Sequence, residues 1–311
     1  MSRAWWIAVA RLTALVVCIG LATTRLGLVA HELVGHGGAT VAVGGTVREV
    51  HLFYFAGGWI RFSAPQGGLV IALGGIVVEA AVGIALCLVF ARRTTLGARI
   101  TTAIGAALVL HASWYLATGT WHGYGDGVQL HRDLGDAKWM VAIPVAAVTI
   151  AAGYLGARTV LSALAATLPG GARARVAGTV IALIVAGGVQ AAAAVGEVMI
   201  RRDAAYGSVM KPERQRRIAG DLARWEAEQA QRGAAPTEQQ RAQLQRELAA
   251  RHRTFPLAIV LAILTAMAMV AGWVRAQRAE DGPVGKALLA RCAVLAGGSI
   301  ALVIALDAAF H

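Results

Sequence analysis

Long apolar runs fill most of this sequence and limit what the chain can fold into. A helix needs about 20 apolar residues to cross the hydrocarbon core of a bilayer. Six runs approach or exceed that length: Gly67–Phe90, Ile100–Thr120, Met140–Leu155, Val176–Ile200, Pro256–Val274 and Ala287–Leu306. Only 15% of the residues are charged, against about 25% in soluble domains. The sequence therefore predicts an all-α polytopic membrane protein.

The first apolar run is expected to stay in the membrane as a helix. Trp5–Leu21 is long for the hydrophobic part of a signal peptide, and no clear small-residue cleavage site precedes Arg25. Residues 4–43 should form one long broken helix or two short ones, joined at Thr23–Arg25. With this run we expect about seven spans, within a range of six to eight, in a multi-pass protein of the bacterial plasma membrane.

Two segments differ from the apolar runs. Residues 44–66 contain β-forming residues on both sides of Gly57 and Gly58, which predicts a β-hairpin. This hairpin is too polar to cross the bilayer alone and should lie at the interface or against the helices. Residues 201–254 contain two helix-forming runs broken at Gly233–Pro236, and Thr237 and Gln240 have the spacing of a capping box. They predict a helical hairpin outside the membrane.

The chain is accordingly divided into four parts. Residues 1–140 form the expected catalytic core, 141–200 add membrane helices, 201–254 form the helical hairpin, and 255–311 hold two final membrane helices. The net charge is +12, and the basic residues lie mostly in loops and in residues 201–254, where they can contact anionic lipid. No interleaving of aromatic and basic residues indicates nucleic-acid binding, so the expected partner is the bilayer.

Ionisable residues inside the apolar runs are the best candidates for chemistry, because a charge at membrane depth is costly. Four stand out: His31, Glu32, His36 and Glu79. Two histidines with an adjacent glutamate are the minimum for a catalytic zinc site. The imidazoles bind the ion, and a carboxylate that is not a ligand accepts a proton from water. We therefore expect Zn²⁺, held by His31 and His36, with Glu32 as the base.

The spacing of the two histidines tests this hypothesis. They are five residues apart in "HELVGH", and at 100° per residue a regular α-helix separates them by about 140° around its axis. They could not then share one ion. A π-type irregularity absorbs one extra residue, and such irregularities favour functional sites. The sequence therefore predicts a distorted helix within Val29–Ala39, centred near Val34–Gly35.

Zinc also needs a third protein ligand, for which the residues leave several candidates. Asp126, in "GDG", is favoured because its glycine neighbours let the backbone and the carboxylate approach a metal. Glu79 is either an alternative ligand or, more in keeping with its mid-helix position, a hydrogen-bonding partner of a ligand histidine. His122 is a lesser candidate for either role. His111 is expected to hydrogen-bond within the helix bundle.

Two families share parts of this pattern. "HELVGH" resembles the H-E-x-x-G-H zinc motif of the dipeptidyl peptidase III family. The order of "HELVGHGGATVAVGG", the hairpin, "ALGGIVVEAAVG" and "GYGDG" resembles the site-2 protease family of intramembrane zinc metallopeptidases. In that family the histidine motif has one residue fewer, an Asn-x-x-Pro precedes the Asp-Gly, and an asparagine stands near the position of Glu79. The second resemblance implies His31, His36 and Asp126 as metal ligands and Glu32 as the catalytic base.

This resemblance implies a protease that hydrolyses peptide bonds of membrane-anchored proteins or peptides. An extended substrate is expected to pair with an edge of the hairpin, with Gly57, Gly58 and Trp59 as substrate-binding residues. The competing hypothesis is a non-proteolytic membrane protein, either a degenerate pseudo-protease or a metal-binding transporter. Another hydrolytic or acyl-transfer reaction at the same zinc site is a third. The sequence does not define the oligomeric state.

Overall fold

A computed structural model of the protein describes residues 2–93, 95–274 and 284–310. In these ranges, seven helical segments are long and apolar enough to cross a membrane. They are α1 (Arg3–Ala42), α2 (Gly68–Phe90), α3 (Leu96–His122), a segment Gly127–Ala166 that holds α4 (Gly127–Leu134) and α5 (Trp139–Gly156), α6 (Ala172–Arg201), α10 (Leu257–Val274) and α11 (Lys286–Phe310). The expected all-α polytopic fold is confirmed, and the chain is a multi-pass integral membrane protein.

The two polar segments also form the expected structures. Strands β1 (Thr46–Leu52) and β2 (Gly58–Ser63) pair antiparallel, with Val50 opposite Ile60. Between α6 and α10 lie three helices: α7 (Ala204–Met210), α8 (Glu213–Gln231) and α9 (Glu238–Arg251). Helices α8 and α9 form the helical hairpin, and α9 begins with the predicted capping box of Thr237 and Gln240.

Helix α2 carries Glu79, one of the candidate site residues, and contacts both α1 and α3. Its approach to α3 depends on small residues, because a Cβ atom at Gly83 would come within 2.7 Å of the carbonyl oxygen of Gly105. Glycine-to-glycine contacts of this kind drive helix association in membranes, where van der Waals packing replaces the hydrophobic effect. They fix α2 against both neighbours at short range.

Helix α1 does not break at Thr23–Arg25, so the expected join is wrong. Arg25 is only 3% exposed and stays within the helix because carbonyl groups of the hairpin turn satisfy its guanidinium. It donates to the carbonyl oxygens of Phe53, Phe55 and Ala56 at 2.5, 3.2 and 2.7 Å. A polar residue that looks like a helix break in the sequence is therefore a binding point for another segment.

Carboxylates from two other helices hold the same turn. Glu197 of α6 accepts hydrogen bonds from the amides of residues 54, 55 and 56 at 2.6, 2.6 and 3.0 Å. Asp307 of α11 accepts one from the amide of Leu52 at 2.8 Å. Arg201 bridges the two carboxylates, at 3.0 Å from Glu197 and 3.3 Å from Asp307. The hairpin is thus anchored at its turn.

Removing the Glu197 charge should destabilise the protein. A Glu197→Gln amide has one acceptor oxygen for three backbone donors, and hydrogen bonds to a charged group contribute about 1.5–3 kcal/mol each. We expect the apparent melting temperature in detergent to fall by at least ~5 °C. The exposed Glu228→Gln on α8 is the charge-matched control. Equal melting temperatures for both variants would contradict the anchoring role.

Candidate metal centre

The segment that carries the histidines is a π-helix, Ala30–Gly37, within α1. The predicted irregularity is therefore confirmed. Hydrogen bonding from residue i to i+5 turns residues five apart towards the same side. The Nε2 atoms of His31 and His36 accordingly lie 3.2 Å from each other, and the ring centroids are 4.8 Å apart.

Close contact between α1 and α2 requires glycine on both sides. A Cβ atom built on Gly35 would overlap the backbone of Gly75 and come within 2.7 Å of the carbonyl oxygen of Gly74. A Cβ on Gly75 would stand 2.6 Å from the Nε2 atoms of both His31 and His36. The two imidazoles therefore lie in a space that exists only because position 75 has no side chain.

Asp126 joins the two histidines from the turn before α4. Its Oδ2 lies 2.9 Å from Nε2 of His31, and its Oδ1 lies 3.3 Å from Nε2 of His36. The preceding Gly125 has a φ of +52°, and the Tyr115 hydroxyl packs where a Cβ would stand. Histidine, cysteine, aspartate or glutamate side chains can share a metal ion where the ligand atoms of three of them lie close together. In the described part of the chain, His31, His36 and Asp126 form the one such group.

The arrangement fits a small tetrahedral cation. Ligand atoms bound at 2.0–2.1 Å in a tetrahedron lie about 3.3–3.4 Å from one another. The two Nε2 atoms are 3.2 Å apart, and the two oxygens of Asp126 lie at similar distances, Oδ2 at 2.9 Å from Nε2 of His31 and Oδ1 at 3.3 Å from Nε2 of His36. The buried Oδ2 of Asp126 has no aligned hydrogen-bond partner among the described residues, despite its closeness to His31. Atoms that point at a shared centre, and not at each other, have this geometry.

Hydrogen bonds at the other ring nitrogens orient both imidazoles. Nδ1 of His31 donates to Oε2 of Glu79 at 3.2 Å, and Nδ1 of His36 donates to the carbonyl oxygen of Ile71 at 2.6 Å. With Nδ1 protonated, each Nε2 is left as a metal-binding lone pair. Glu79 also accepts from Nδ1 of His111 at 2.8 Å. Glu79 thus lies in the position of a partner to His31, while Asp126 lies at the Nε2 atoms.

Glu32 lies on the same π-helix and is only 5% exposed. Its carboxylate interacts electrostatically with His31, His36 and Asp126. None of the described residues hydrogen-bonds to this carboxylate through its side chain or backbone. Glu32 is therefore a buried carboxylate within electrostatic range of the three candidate ligands.

The structure does not bring the other predicted site residues to the cluster. His122 lines a separate cavity at the end of α3. Trp59 stacks on His51, with centroids 4.1 Å apart, and its Nε1 donates to Oδ2 of Asp203 at 2.8 Å. Gly57 faces the Tyr206 ring. The hairpin contacts the π-helix through β2, but the indole of Trp59 faces α7.

Two features near the cluster escaped the sequence analysis. Tyr115 lies one helical turn after His111 on α3, and its ring stands edge-on to that of His31 at 6.1 Å. The i, i+4 spacing of a histidine and a tyrosine on one face was the available signal. Helix α7 reaches the same place, since Met210 Sδ accepts from the Tyr115 hydroxyl at 3.7 Å. No local sequence pattern in residues 204–210 predicts that contact.

Helix α7 bridges the hairpin and the Asp126 turn. At one end, Asp203 caps the helix and holds Trp59; at the other, the amide of Gly125 donates to the carbonyl oxygen of Val209 at 3.0 Å. Burial raises the pKa of Asp203, but hydrogen bonds from the amide of Tyr206 and the indole of Trp59 lower it by a larger amount. The pKa of Asp203 is therefore below its ordinary value. Asp203 is therefore charged at neutral pH, and its bond to Trp59 is at full strength there.

Comparisons with known proteins gave no match. No protein-family model, no curated protein and no solved structure matches this chain. The function is therefore inferred from the geometry and chemistry of the site.

A single methyl group should disturb this site. Gly75→Ala places a Cβ against both Nε2 atoms, so we expect the zinc content of the purified protein, measured by mass spectrometry, to fall at least tenfold. Gly68→Ala is the matched control on the same helix, because a Cβ there meets nothing within 4 Å. If the Gly75→Ala protein kept as much zinc as the control, the cluster would not be the binding site.

Proposed function

We propose that this protein is an intramembrane zinc metalloprotease that hydrolyses peptide bonds of membrane-anchored substrates. The observation that supports it most is the convergence of His31, His36 and Asp126 beside a buried Glu32, in helices of membrane-spanning length. The order of these elements, with the hairpin between them, agrees with the resemblance to site-2 proteases. The bacterial plasma membrane stays the expected location.

In this proposal the three clustered side chains hold the ion. A bound zinc ion supplies Lewis-acid activation of water and of the scissile carbonyl group. Glu32 takes the proton from the attacking water and returns it to the leaving amine. Glu79 and Ile71 keep Nε2 of each histidine directed at the centre through their hydrogen bonds to Nδ1. Burial of the cluster keeps bulk water away from the reacting groups.

Access to the site is the second part of the proposal. The hairpin contacts the π-helix through β2, so a substrate strand added to its edge would run past the cluster. Helix α7 now lies between the hairpin and the Asp126 turn. Its Met210 meets the hydroxyl of Tyr115, whose ring stands beside that of His31. We therefore infer that α7 moves aside when a substrate enters.

Replacing the base tests the chemistry. Glu32→Gln should keep its zinc, since it leaves the three ligands intact, and should cleave 10²- to 10⁴-fold more slowly, roughly the usual contribution of a general base. Suitable probes are unfolded β-casein in detergent and a single-span fusion protein in liposomes. Glu228→Gln serves as the control. Equal cleavage by wild type and Glu32→Gln would contradict Glu32 as the base, and zinc binding without any cleavage would favour a non-proteolytic protein.

A substitution at Trp59 distinguishes the movement of α7 from direct substrate binding by Trp59. Trp59→Phe keeps an aromatic ring to stack on His51 but removes the hydrogen bond to Asp203. If α7 must move, the variant should raise kcat/KM by about ten- to a hundredfold, the equivalent of one hydrogen bond to a charged group. The predicted substrate-binding role of Trp59 requires the opposite, a higher KM. A lower kcat/KM with a higher KM would therefore contradict the movement of α7.

A further inference from the structure

A strongly basic cavity of about 450 Å³ lies away from the metal cluster, between the end of α3, the start of α5 and the helical hairpin α8–α9. Its lining includes six cationic side chains: Arg132, Lys138, Arg214, Arg217, Arg251 and Arg253. Three histidines and only two carboxylates, Asp136 and Glu213, complete the charged lining. Such a balance favours an anionic ligand.

The two carboxylates do not neutralise this charge. Glu213 is already paired with Arg216 and Arg217, at 3.1 and 3.2 Å. Within the described ranges, neither Arg251 nor Arg253 forms an ion pair with a carboxylate. A net positive charge is therefore left inside the cavity.

One donor in the cavity is buried without a partner. Arg214 directs NH2 to the carbonyl oxygen of Ala249 at 2.7 Å, but its Nε is buried and meets no acceptor in the part of the chain that the structure describes. A buried donor without a partner costs about 1–3 kcal/mol, and more when it is charged. Arg214 also lines the cavity, and guanidinium groups match the geometry of a phosphate. A small shift of this side chain towards a bound oxyanion would give its Nε the acceptor that it lacks.

The cavity lies where several membrane spans begin and end. Helix α3 ends at His122, and helices α5 and α10 begin at Trp139 and Leu257. Nε1 of Trp121 donates to the carbonyl oxygen of Phe255 at 2.9 Å, and Trp139 is 53% exposed. Tryptophans at the ends of spans mark the level of lipid headgroups. The cavity is therefore within reach of a headgroup phosphate.

We propose that this cavity binds a phosphate group, supplied by the headgroup of an anionic phospholipid. Arg214 and Arg253 hold the phosphate oxygens, and the acyl chains extend beside Trp139 into the bilayer. The bound group bridges the helical hairpin to the ends of α3 and α5. This proposal does not depend on zinc or on proteolysis.

Binding of a short-chain phosphatidylglycerol to the delipidated full-length protein, followed by microscale thermophoresis, tests the site. Arg214→Gln and Arg253→Gln should each raise the lipid concentration at half-saturation about tenfold. Arg253 is exposed and its side chain forms no hydrogen bond or ion pair with the described residues, so its substitution tests the site without disturbing the fold. Arg232→Gln, at the end of α8 and outside the cavity, removes the same charge and should bind like wild type.

Two further probes identify the source of the phosphate. Inorganic phosphate should bind more weakly than the phospholipid, and a diacylglycerol of equal chain length should not compete for the site. Equal binding of inorganic phosphate would overturn the lipid as the source. Equal binding of the phospholipid by all three variants and wild type, or competition by diacylglycerol, would overturn the site itself.

Discussion

The five-residue spacing of His31 and His36 is the constraint on which the rest of this site depends. A regular helix would direct the two rings to different sides, and the π-helix Ala30–Gly37 brings their Nε2 atoms to 3.2 Å. That geometry requires space on the facing helix, which Gly75 provides by having no side chain. It also requires the Asp126 turn to approach from the end of α3. Both the facing helix α2 and the Asp126 turn must therefore fit around the π-helix Ala30–Gly37.

Several buried charged groups in this bundle have hydrogen-bond partners, and those that lack one lie at the proposed sites. Arg25 and Glu197 are buried and meet the backbone of the hairpin turn, and Glu79 meets two histidines. Among the described residues, Asp126 and Arg214 each have a polar atom that is fully buried and lacks a partner, and the Glu32 carboxylate beside Asp126 also lacks a hydrogen-bond partner. An unpaired buried charge is expensive. The negative Asp126 lies where a cation would bind beside the two histidines, and the positive Arg214 lies where an anion would bind in the basic cavity.

Local sequence patterns predicted much of the architecture. The apolar runs gave the spans, Gly57 and Gly58 gave the hairpin, and the histidine spacing gave the π-helix, because each depends on neighbouring residues. The glycine neighbours of Asp126 indicated that it could approach the histidines, and the structure places its carboxylate beside both Nε2 atoms. In contrast, the polar run Thr23–Arg25 was misread as a join, since the carbonyl groups that satisfy Arg25 lie in another segment. The bonds of Glu197 and the position of α7 likewise join distant parts of the chain, and no local pattern encodes them.

Zinc K-edge X-ray absorption of the purified protein tests the central claim, that the irregular turn builds a metal centre with Asp126, most directly. We predict two imidazole nitrogens and one or two oxygens at about 2.0–2.1 Å, with no sulfur at the longer distance of about 2.3 Å. His36→Ala should remove one imidazole from that shell or abolish the bound metal. A sulfur-containing shell, or a wild-type spectrum unchanged by His36→Ala, would contradict the account.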